Sequence, residues 1–305
     1  MTAREDSPQL QTAAKSDTGL SRSNNQDFAY AGPLPGAEDW TLLAVADGLG
    51  GHARGEWASE RTIGLVAASL AGHLESGDAG AALAAAAEDA NATINLEARQ
   101  QGSPGAATTL VAVLCRGTEW WWCNVGDSRL YFLSGGSLQQ VSNDHSWVEE
   151  QVRAGLLPPD TANHHPNKNV VTRTIGFEPA VTADIGGPLE IKLGEALVLC
   201  SDGLHGPVSD DEIASAVAAL DPGLAADRLI ELANAAGGPD NITVVIGKFG
   251  APAALVAETQ VAPSQSVTAE QTQPRRWANR RSALVLAGVL LVAGVAAGLL
   301  VAQSW

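Results

Sequence analysis

Short, mostly apolar runs separated by polar, glycine-rich stretches dominate the pattern of this chain. The runs occupy residues 40–46, 106–115, 119–125, 196–200 and 242–248. Each is bounded by Gly, Pro, Asp or other turn-forming residues, as is typical of buried β-strands. The second and third runs are separated by a Gly-Thr turn, which predicts a hairpin.

Longer segments between these runs have the composition of helices. Residues 59–74 and 81–101 are Ala-rich and predict two successive helices. Ser209, with Glu212 three residues later, forms the signature of a capping box, so another helix is expected to begin there. Residues 224–236 predict a fourth helix, which ends at a glycine.

An aspartate stands at one end of four of the apolar runs. Asp47, Asp127 and Asp202 follow a run, and Asp240 precedes one. A single Asp-Gly at such a place is more typical of a turn without a ligand. If the four strands lie side by side, however, the carboxylates meet at one point, and their repulsion predicts bound divalent cations. Gly48 lets the main chain turn closely enough to offer its own carbonyl as a ligand.

The composition indicates which metal ions and which binding partners the protein favours. No Cys-x-x-Cys or His-x-x-x-His spacing occurs, which disfavours a zinc site and favours Mg²⁺ or Mn²⁺. The formal net charge is −16, from 18 basic and 34 acidic residues, which argues against nucleic acid as a partner. The three cysteines all lie in apolar runs, so they predict reduced, buried side chains.

Two polar regions offer groups that could meet a substrate. Arg22 has a planar guanidinium that matches phosphate oxygens, although a solvated surface arginine is the commoner case. The mixed segment 143–176 predicts a mobile excursion that could act as a lid or flap. Its histidines, His145, His164 and His165, favour a structural or substrate-contacting role over metal ligation or proton transfer.

The C-terminal part predicts a linker and a membrane span. Residues 250–282 are rich in Ala, Pro, Ser, Thr and Gln and end in a basic segment with four arginines. The apolar run 283–302 has 20 residues, a length that favours a transmembrane helix over a buried core helix. The positive-inside rule predicts a single-pass protein of the cell membrane with the folded domain in the cytoplasm. Gly294 and Gly298 form a G-x-x-x-G pair that could support dimerisation.

Nine short motifs occur in a characteristic order. They are Arg22 with Asn25-Gln26-Asp27, DGLGGH (47–52), GEWAS (55–59), TTLV (108–111), NVGDSR (124–129), NDHS (143–146), NVVTRTIG (169–176), CSDGL (200–204) and GGPDNITVV (237–245). With them, residues 14–249 resemble the bacterial metal-dependent serine/threonine protein phosphatases of type 2C. Residues 1–13 are then a loose N-terminus, and the flap spans about 144–172.

The resemblance implies both a fold and a metal site. The fold is α+β, a four-layer α-β-β-α sandwich of two antiparallel sheets flanked by helix pairs, here followed by one C-terminal transmembrane helix. Asp47 would bridge two Mn²⁺ or Mg²⁺ ions, and Gly48 would contribute its carbonyl. Asp202 and Asp240 would complete the protein ligands of the first ion. Asp127 would hold a weaker third ion together with Asp202.

The resemblance also implies a reaction. Arg22 would bind the substrate phosphate, and Asp27 would orient metal-bound waters from outside the coordination sphere. A metal-bridged hydroxide would hydrolyse phosphoserine and phosphothreonine on proteins without a protein nucleophile. Leu49 stands where many eukaryotic members have a histidine proposed as general acid. A metal-bound water, or His52, would therefore have to protonate the leaving alkoxide.

The expected partners follow from this reaction. They are phosphorylated proteins, above all a cognate serine/threonine kinase and its substrates, and the lipid bilayer through the C-terminal helix. A regulator of the sporulation or sigma-factor type is an alternative substrate that the sequence does not distinguish. A non-catalytic phosphoprotein-binding module on the same fold is the alternative function, although such modules typically lose the metal aspartates that this chain retains.

Overall fold

The computed structural model of the protein describes residues 9–49, 53–75, 77–162 and 165–250. They all lie in the compact unit Met1–Val256. The predicted membrane span 283–302 and the linker beyond residue 250 lie outside the described residues. Within the described ranges, no helix is both long enough and apolar enough to cross a membrane.

The strands are β1 (Gln9–Asp17), β2 (Asp27–Leu34), β3 (Ala37–Leu49), β4 (Ala107–Thr108), β5 (Leu110–Arg116), β6 (Glu119–Val125), β7 (Arg129–Ser134), β8 (Ser137–Gln140), β9 (Asp184–Glu190), β10 (Ala196–Cys200) and β11 (Ile242–Gly250). The helices are α1 (Ala53–Leu74), α2 (Ala79–Gln100), α3 (Trp147–Arg153), α4 (Pro159–Ala162), α5 (Asp202–His205), α6 (Asp210–Ala219) and α7 (Pro222–Ala235).

Two antiparallel sheets form the centre of the domain. One has the strand order β1-β11-β10-β7-β8, and the other has the order β2-β3-β5-β6-β9, with β4 paired to β3. Helices α1 and α2 pack on the second sheet, and α6 and α7 pack on the first. The predicted α+β fold with two antiparallel sheets and flanking helices is therefore confirmed.

The alternation of side chains along β3 explains the layers. Leu42, Ala44 and Ala46 face the layer under α1 and α2, whereas Leu43 and Val45 face the layer between the sheets. All five are completely buried. Because successive residues of a strand point to opposite faces, a strand covered on both sides must be apolar at every position. This is why the central strands stand out in the sequence as unbroken apolar runs.

The expectation of a loose segment 1–13 is wrong for residues 9–13. Strand β1 begins at Gln9 and pairs along its length with β11, from Gln9 opposite Gly250 to Asp17 opposite Ile242. It is an edge strand with mostly polar or partly exposed residues, so it lacks the apolar pattern of the central strands. Its backbone nevertheless supplies the hydrogen-bonding partners that the outer edge of β11 requires.

The flap contains two short helices and is closed at its base by main-chain contacts. Ser146 and Val171 form an isolated antiparallel bridge, and the Trp147 amide donates to the Val170 carbonyl at 2.8 Å. Inside the flap, the rings of Trp147 and His165 lie 4.8 Å apart between centroids. The first two contacts join the two ends of the flap to each other.

Candidate metal centre

The strand pairing brings four of the predicted aspartates to one end of the two sheets. Asp27 begins β2 and lies opposite Asp47 on β3. Asp202 follows β10, and Asp240 precedes β11, the strand that pairs with β10. The Ser201 hydroxyl joins the two sheets because it donates to Asp27 Oδ2 at 2.7 Å. The convergence expected from the sequence is therefore present in the fold.

Asp47 lies at the electrostatic centre of this group. Burial raises its pKa well above the usual value, and the charges of Asp27, Asp202, Asp127 and Asp240 raise it further. Five carboxyl groups thus act on one another in a site with little water. Such mutual repulsion is costly unless cations compensate it.

The neighbouring carboxyl groups are perturbed in the same direction. Burial raises the pKa of Asp27 to about 6, against hydrogen bonds from Thr243 and Ser201 that lower it. Burial and the charge of Asp202 raise the pKa of Asp127 to about 7. Burial and the charge of Asp240 raise the pKa of Asp202 to about 6. Near neutral pH the folded chain therefore keeps protons that the same groups would otherwise release.

Two observations indicate that divalent cations fit this site. Asp27 Oδ1 and Asp202 Oδ1 are buried and have no hydrogen-bond partner, so each leaves an acceptor unsatisfied. At Gly48, an added Cβ would collide with the carbonyl oxygens of Gly55 and Gln26, so only glycine fits there. An all-oxygen set of carboxylates and one close main-chain segment is what Mg²⁺ and Mn²⁺ prefer.

Arg22 is bound to the carboxylate of Asp240, which is one of the predicted metal ligands. The Arg22 guanidinium donates to Asp240 Oδ2 at 2.6 Å, while Asp240 Oδ1 accepts from the Asn241 amide at 2.8 Å. In the part of the chain that the structure describes, no group of three or more His, Cys, Asp or Glu side chains is arranged so that it could hold a metal ion as it stands. Ligation by Asp240 therefore requires its carboxylate to turn away from Arg22.

Two threonines of the TTLV motif, for which sequence reasoning predicted no role, hold Asp47 in place. Thr109 accepts from the Asp47 amide through Oγ1 at 2.9 Å and donates its own amide to the Asp47 carbonyl at 2.9 Å. Thr108 Oγ1 donates to the same carbonyl at 2.8 Å. The signal in the sequence is the pair of adjacent hydroxyl residues at the start of an apolar run.

His145 fixes the loop that carries Asp127. Its Nδ1 accepts from the Gly126 amide at 3.1 Å, and its own amide donates to the Gly126 carbonyl at 2.9 Å. On the other side of the ring, Nε2 lies 3.3 Å from Asp184 Oδ2. The ring is completely buried, so this geometry gives His145 a structural position. His164, by contrast, lies outside the described residues.

His205 is a second histidine beside Asp127, partly exposed, that the sequence did not point to. Its Nε2 lies 3.0 Å from the Asp127 carbonyl, and burial lowers its pKa to about 4. The ring is therefore neutral near pH 7, and its Nε2–H donates to that carbonyl.

Leu49 ends β3 beside the centre. His52 lies outside the described ranges, so its suggested role in proton transfer stays a prediction.

Comparison with known proteins places these features in a family context. Residues 21–231 match the family model described as Protein phosphatase 2C. The serine/threonine protein phosphatase PstP of Mycobacterium tuberculosis is 35% identical over a match that covers 97% of this chain. The protein phosphatase PhpP of Streptococcus pneumoniae is 33% identical over 242 residues, which cover 78% of this chain and 96% of PhpP. This chain spans 62% of the length of PstP.

Solved structures of serine/threonine phosphatases are also similar to this chain. A crystal structure of the M. tuberculosis phosphatase PstP/Ppp is 39% identical with a TM-score of 0.71, and the match covers 79% of this chain and 99% of that one. The catalytic domain of PstP in complex with two manganese ions is 37% identical with a TM-score of 0.68, covering 79% of this chain and 98% of that one.

Proposed function

The chain belongs to the protein phosphatase 2C family, and we propose that it hydrolyses phosphoserine and phosphothreonine on proteins with the help of two divalent cations. The observation that carries this proposal is the convergence of five carboxyl groups, two of which keep a buried oxygen without a hydrogen-bond partner. The complex of the PstP catalytic domain with two manganese ions supports Mn²⁺ as one of the metals that fit.

Four positions would hold the metal pair. They are the carboxylates of Asp47, Asp202 and Asp240 and the carbonyl of Gly48, with Asp127 available for a weaker third ion. When bound, such a pair of cations acidifies a water molecule towards neutral pH and neutralises charge on a phosphoryl group. Asp27, which is held by the Ser201 hydroxyl, would accept hydrogen bonds from metal-bound water.

Arg22 is the residue proposed to bind the substrate phosphate. Its side chain is 52% exposed at the mouth of the carboxyl cluster, so it can reach a ligand that arrives from solvent. A guanidinium released from Asp240 can donate two parallel hydrogen bonds to phosphate oxygens. The ion pair between Arg22 and Asp240 would then be replaced by two contacts. The carboxylate would bind metal, and the guanidinium would bind the substrate phosphate.

Protonation of the leaving serine or threonine oxygen is assigned to water. Leu49 has no proton to give, and the rings of buried His145 and partly exposed His205 are both bonded to main-chain groups. Neither ring can turn towards a substrate without breaking the loop that holds Asp127. The proton is therefore expected to come from solvent at the metal centre.

The proposed activity is tested on the full chain after removal of metal with EDTA. We expect no hydrolysis of p-nitrophenyl phosphate or of a phosphothreonine peptide until Mn²⁺ or Mg²⁺ is added, because the proposed reaction depends on the cations to acidify water and to neutralise phosphoryl charge. Release of inorganic phosphate is the measurement. If excess Mn²⁺ gives no hydrolysis while the phosphopeptide still binds, the chain is a phosphoprotein-binding module.

We further propose that residues 283–302 anchor the protein in the cell membrane with its phosphatase domain in the cytoplasm, where it would oppose a serine/threonine kinase. The support is the apolar run of 20 residues behind an arginine-rich segment. In fractionated bacterial cells, the full chain should sediment with membranes and be released by detergent but not by high salt. A chain that ends at residue 282 should stay in the supernatant, and equal sedimentation of both would contradict the anchor.

A further inference from the structure

One aromatic side chain beside the metal centre is exposed although its backbone is held firmly. Phe177 is 59% exposed. The Gly176 amide donates to Asn91 Oδ1 at 2.8 Å, and Asn95 Nδ2 donates to the carbonyls of Gly176 and Phe177, both at 2.9 Å. Asn91 Nδ2 also donates to the Glu178 carbonyl at 3.1 Å. Two asparagines of α2 thus fix three consecutive residues and present the phenyl ring to solvent.

Gly176 shows how closely this segment lies against α2. Its φ is +94°, and an added Cβ would collide with the Ile94 side chain. A side chain at position 176 would therefore push the segment away from the helix. Single exposed apolar residues are common on protein surfaces, but a rigidly held one that borders a cavity is preorganised for a partner.

Phe177 borders a cavity of about 720 Å³. Its apolar lining includes Leu49, Ala107, Val171, Phe177 and Val181, and the charged residues Arg173 and Glu178 also line it. The volume is within the range of clefts that bind small molecules and peptide side chains. The lining therefore favours an apolar group as the occupant.

The cavity lies near the proposed metal centre, because Leu49 of its lining is on the same strand as Asp47. Leu49 lies two residues after Asp47 on β3, a distance of about 7 Å along a strand. Thr108 donates through Oγ1 to the Asp47 carbonyl, and its main chain exchanges hydrogen bonds of 3.0 and 2.8 Å with Ile175. Ile175 in turn precedes Phe177 by two residues. Phe177 is therefore connected to the metal-binding strand through main-chain hydrogen bonds.

We propose that this cavity is a specificity subsite that receives one apolar side chain of the substrate polypeptide. The proposal rests on the proposed phosphatase function. A phosphorylated side chain that reaches Asp47 leaves the residues next to it over the cavity, and three residues of extended peptide span about 10 Å. The occupant is therefore an apolar residue within about three positions of the phosphorylated one. A small ester such as p-nitrophenyl phosphate has no neighbouring residue that could fill the cavity.

The experiment uses phosphothreonine peptides built from Gly and Ser, each with one Leu at a position from −3 to +3. We expect Leu at one or two adjacent positions to raise kcat/KM of the full chain about tenfold, the scale of placing one such side chain in an apolar pocket. In Phe177→Ala this gain should fall to about twofold, and in Ala180→Trp, which fills the cavity, it should disappear. Activity on p-nitrophenyl phosphate should be unchanged in both variants.

Leu224→Ala is the matched control, because Leu224 is also 59% exposed but lies on α7, which packs on the other sheet. It should keep the tenfold gain. A gain that survives in Phe177→Ala, or that occurs at no position, would overturn the subsite. A rise in kcat/KM for every peptide in Phe177→Ala would also overturn it, since another segment of this chain would then occupy the cavity.

Binding of the same peptides separates this proposal from the phosphatase proposal. Fluorescence anisotropy with labelled peptides and the inactive Asp47→Asn protein should show tighter binding of the Leu peptide, and Phe177→Ala in that background should remove the difference. If p-nitrophenyl phosphate is not hydrolysed but the Leu preference in binding depends on Phe177, the catalytic assignment fails and the subsite stands. If hydrolysis occurs without any Leu preference, the reverse holds.

Discussion

We expect Asp47→Asn to abolish metal-dependent hydrolysis and at the same time to stabilise the metal-free protein. Asp47 is the carboxyl group whose pKa is raised by burial and by four neighbouring carboxylates. The amide has nearly the same shape, so it removes a repelling charge without leaving a cavity. Activity should fall at least about a thousandfold, the scale of losing one charged contact to the transition state. The free energy of unfolding without metal should rise by on the order of 2 kcal/mol at pH 7.

The control for this prediction is Asp39→Asn, which removes the same formal charge from the exposed end of the same strand. Asp39 pairs with Arg116 at 3.3 Å, and both side chains are more than half exposed. Exposed pairs contribute little to stability, so neither activity nor the Mn²⁺ response should change. Thermal denaturation with and without Mn²⁺ measures both variants. An undiminished Mn²⁺-induced shift in Asp47→Asn would show that the cations bind elsewhere.

Strands β3, β5, β6, β10 and β11 could be predicted from the sequence because burial on both faces leaves mostly apolar residues in them. Central strand β7 was not predicted, and neither were the edge strands. β1 and β9 have polar and glycine-containing sequences, and most of their side chains are exposed or partly exposed. Their place in the sheets comes from main-chain hydrogen bonds to a neighbour, which any residue except proline can form. No hydrophobic pattern therefore marks them.

The meeting of the aspartates was also predictable, because it follows from where the strands end. The contacts that orient the aspartate side chains could not be predicted from the sequence. The Arg22 guanidinium meets Asp240 across 218 residues of sequence, and the Ser201 hydroxyl meets Asp27 across 174. Such pairs depend on how the two sheets pack against each other, and the sequence around each residue does not predict that packing. The same is true of Asn91 and Asn95, which appear in the sequence as ordinary residues of an Ala-rich helix.

Removal of the metal should destabilise the protein, and more so as the pH rises from 6.5 to 8. Asp127 has a pKa of about 7 in the folded chain and an ordinary value of 3.8, so the folded state holds a proton that the unfolded state has already released. Between these values, stability falls as the pH rises. The pKa of Asp47, also raised, adds to the fall. In this window the metal-free protein should lose about 1–2 kcal/mol of unfolding free energy.

The lower limit of pH 6.5 matters because His145 and His205 act in the opposite direction, most strongly below it. Burial lowers the pKa of both rings, so between pH 4 and 6.5 the unfolded chain takes up protons that the folded chain does not, and stability rises with pH. Above pH 6.5 each ring still adds up to about 0.4 kcal/mol as the unfolded histidine loses its remaining charge, and this contribution is nearly constant above about pH 7.5. The expected fall is therefore the carboxyl contribution less this smaller rise.

Urea denaturation of the EDTA-treated and Mn²⁺-saturated chains at several pH values measures this effect. Cations bind the deprotonated carboxylates, so the saturated protein should not lose stability with rising pH. At pH 8 and a Mn²⁺ concentration a hundred times the dissociation constant, the difference between the two states should be about 2.7 kcal/mol. Asp127→Asn removes one of the titrating groups and should flatten the metal-free curve. A metal-free stability that rises between pH 6.5 and 8 would show that these carboxyl groups do not repel one another in the folded protein.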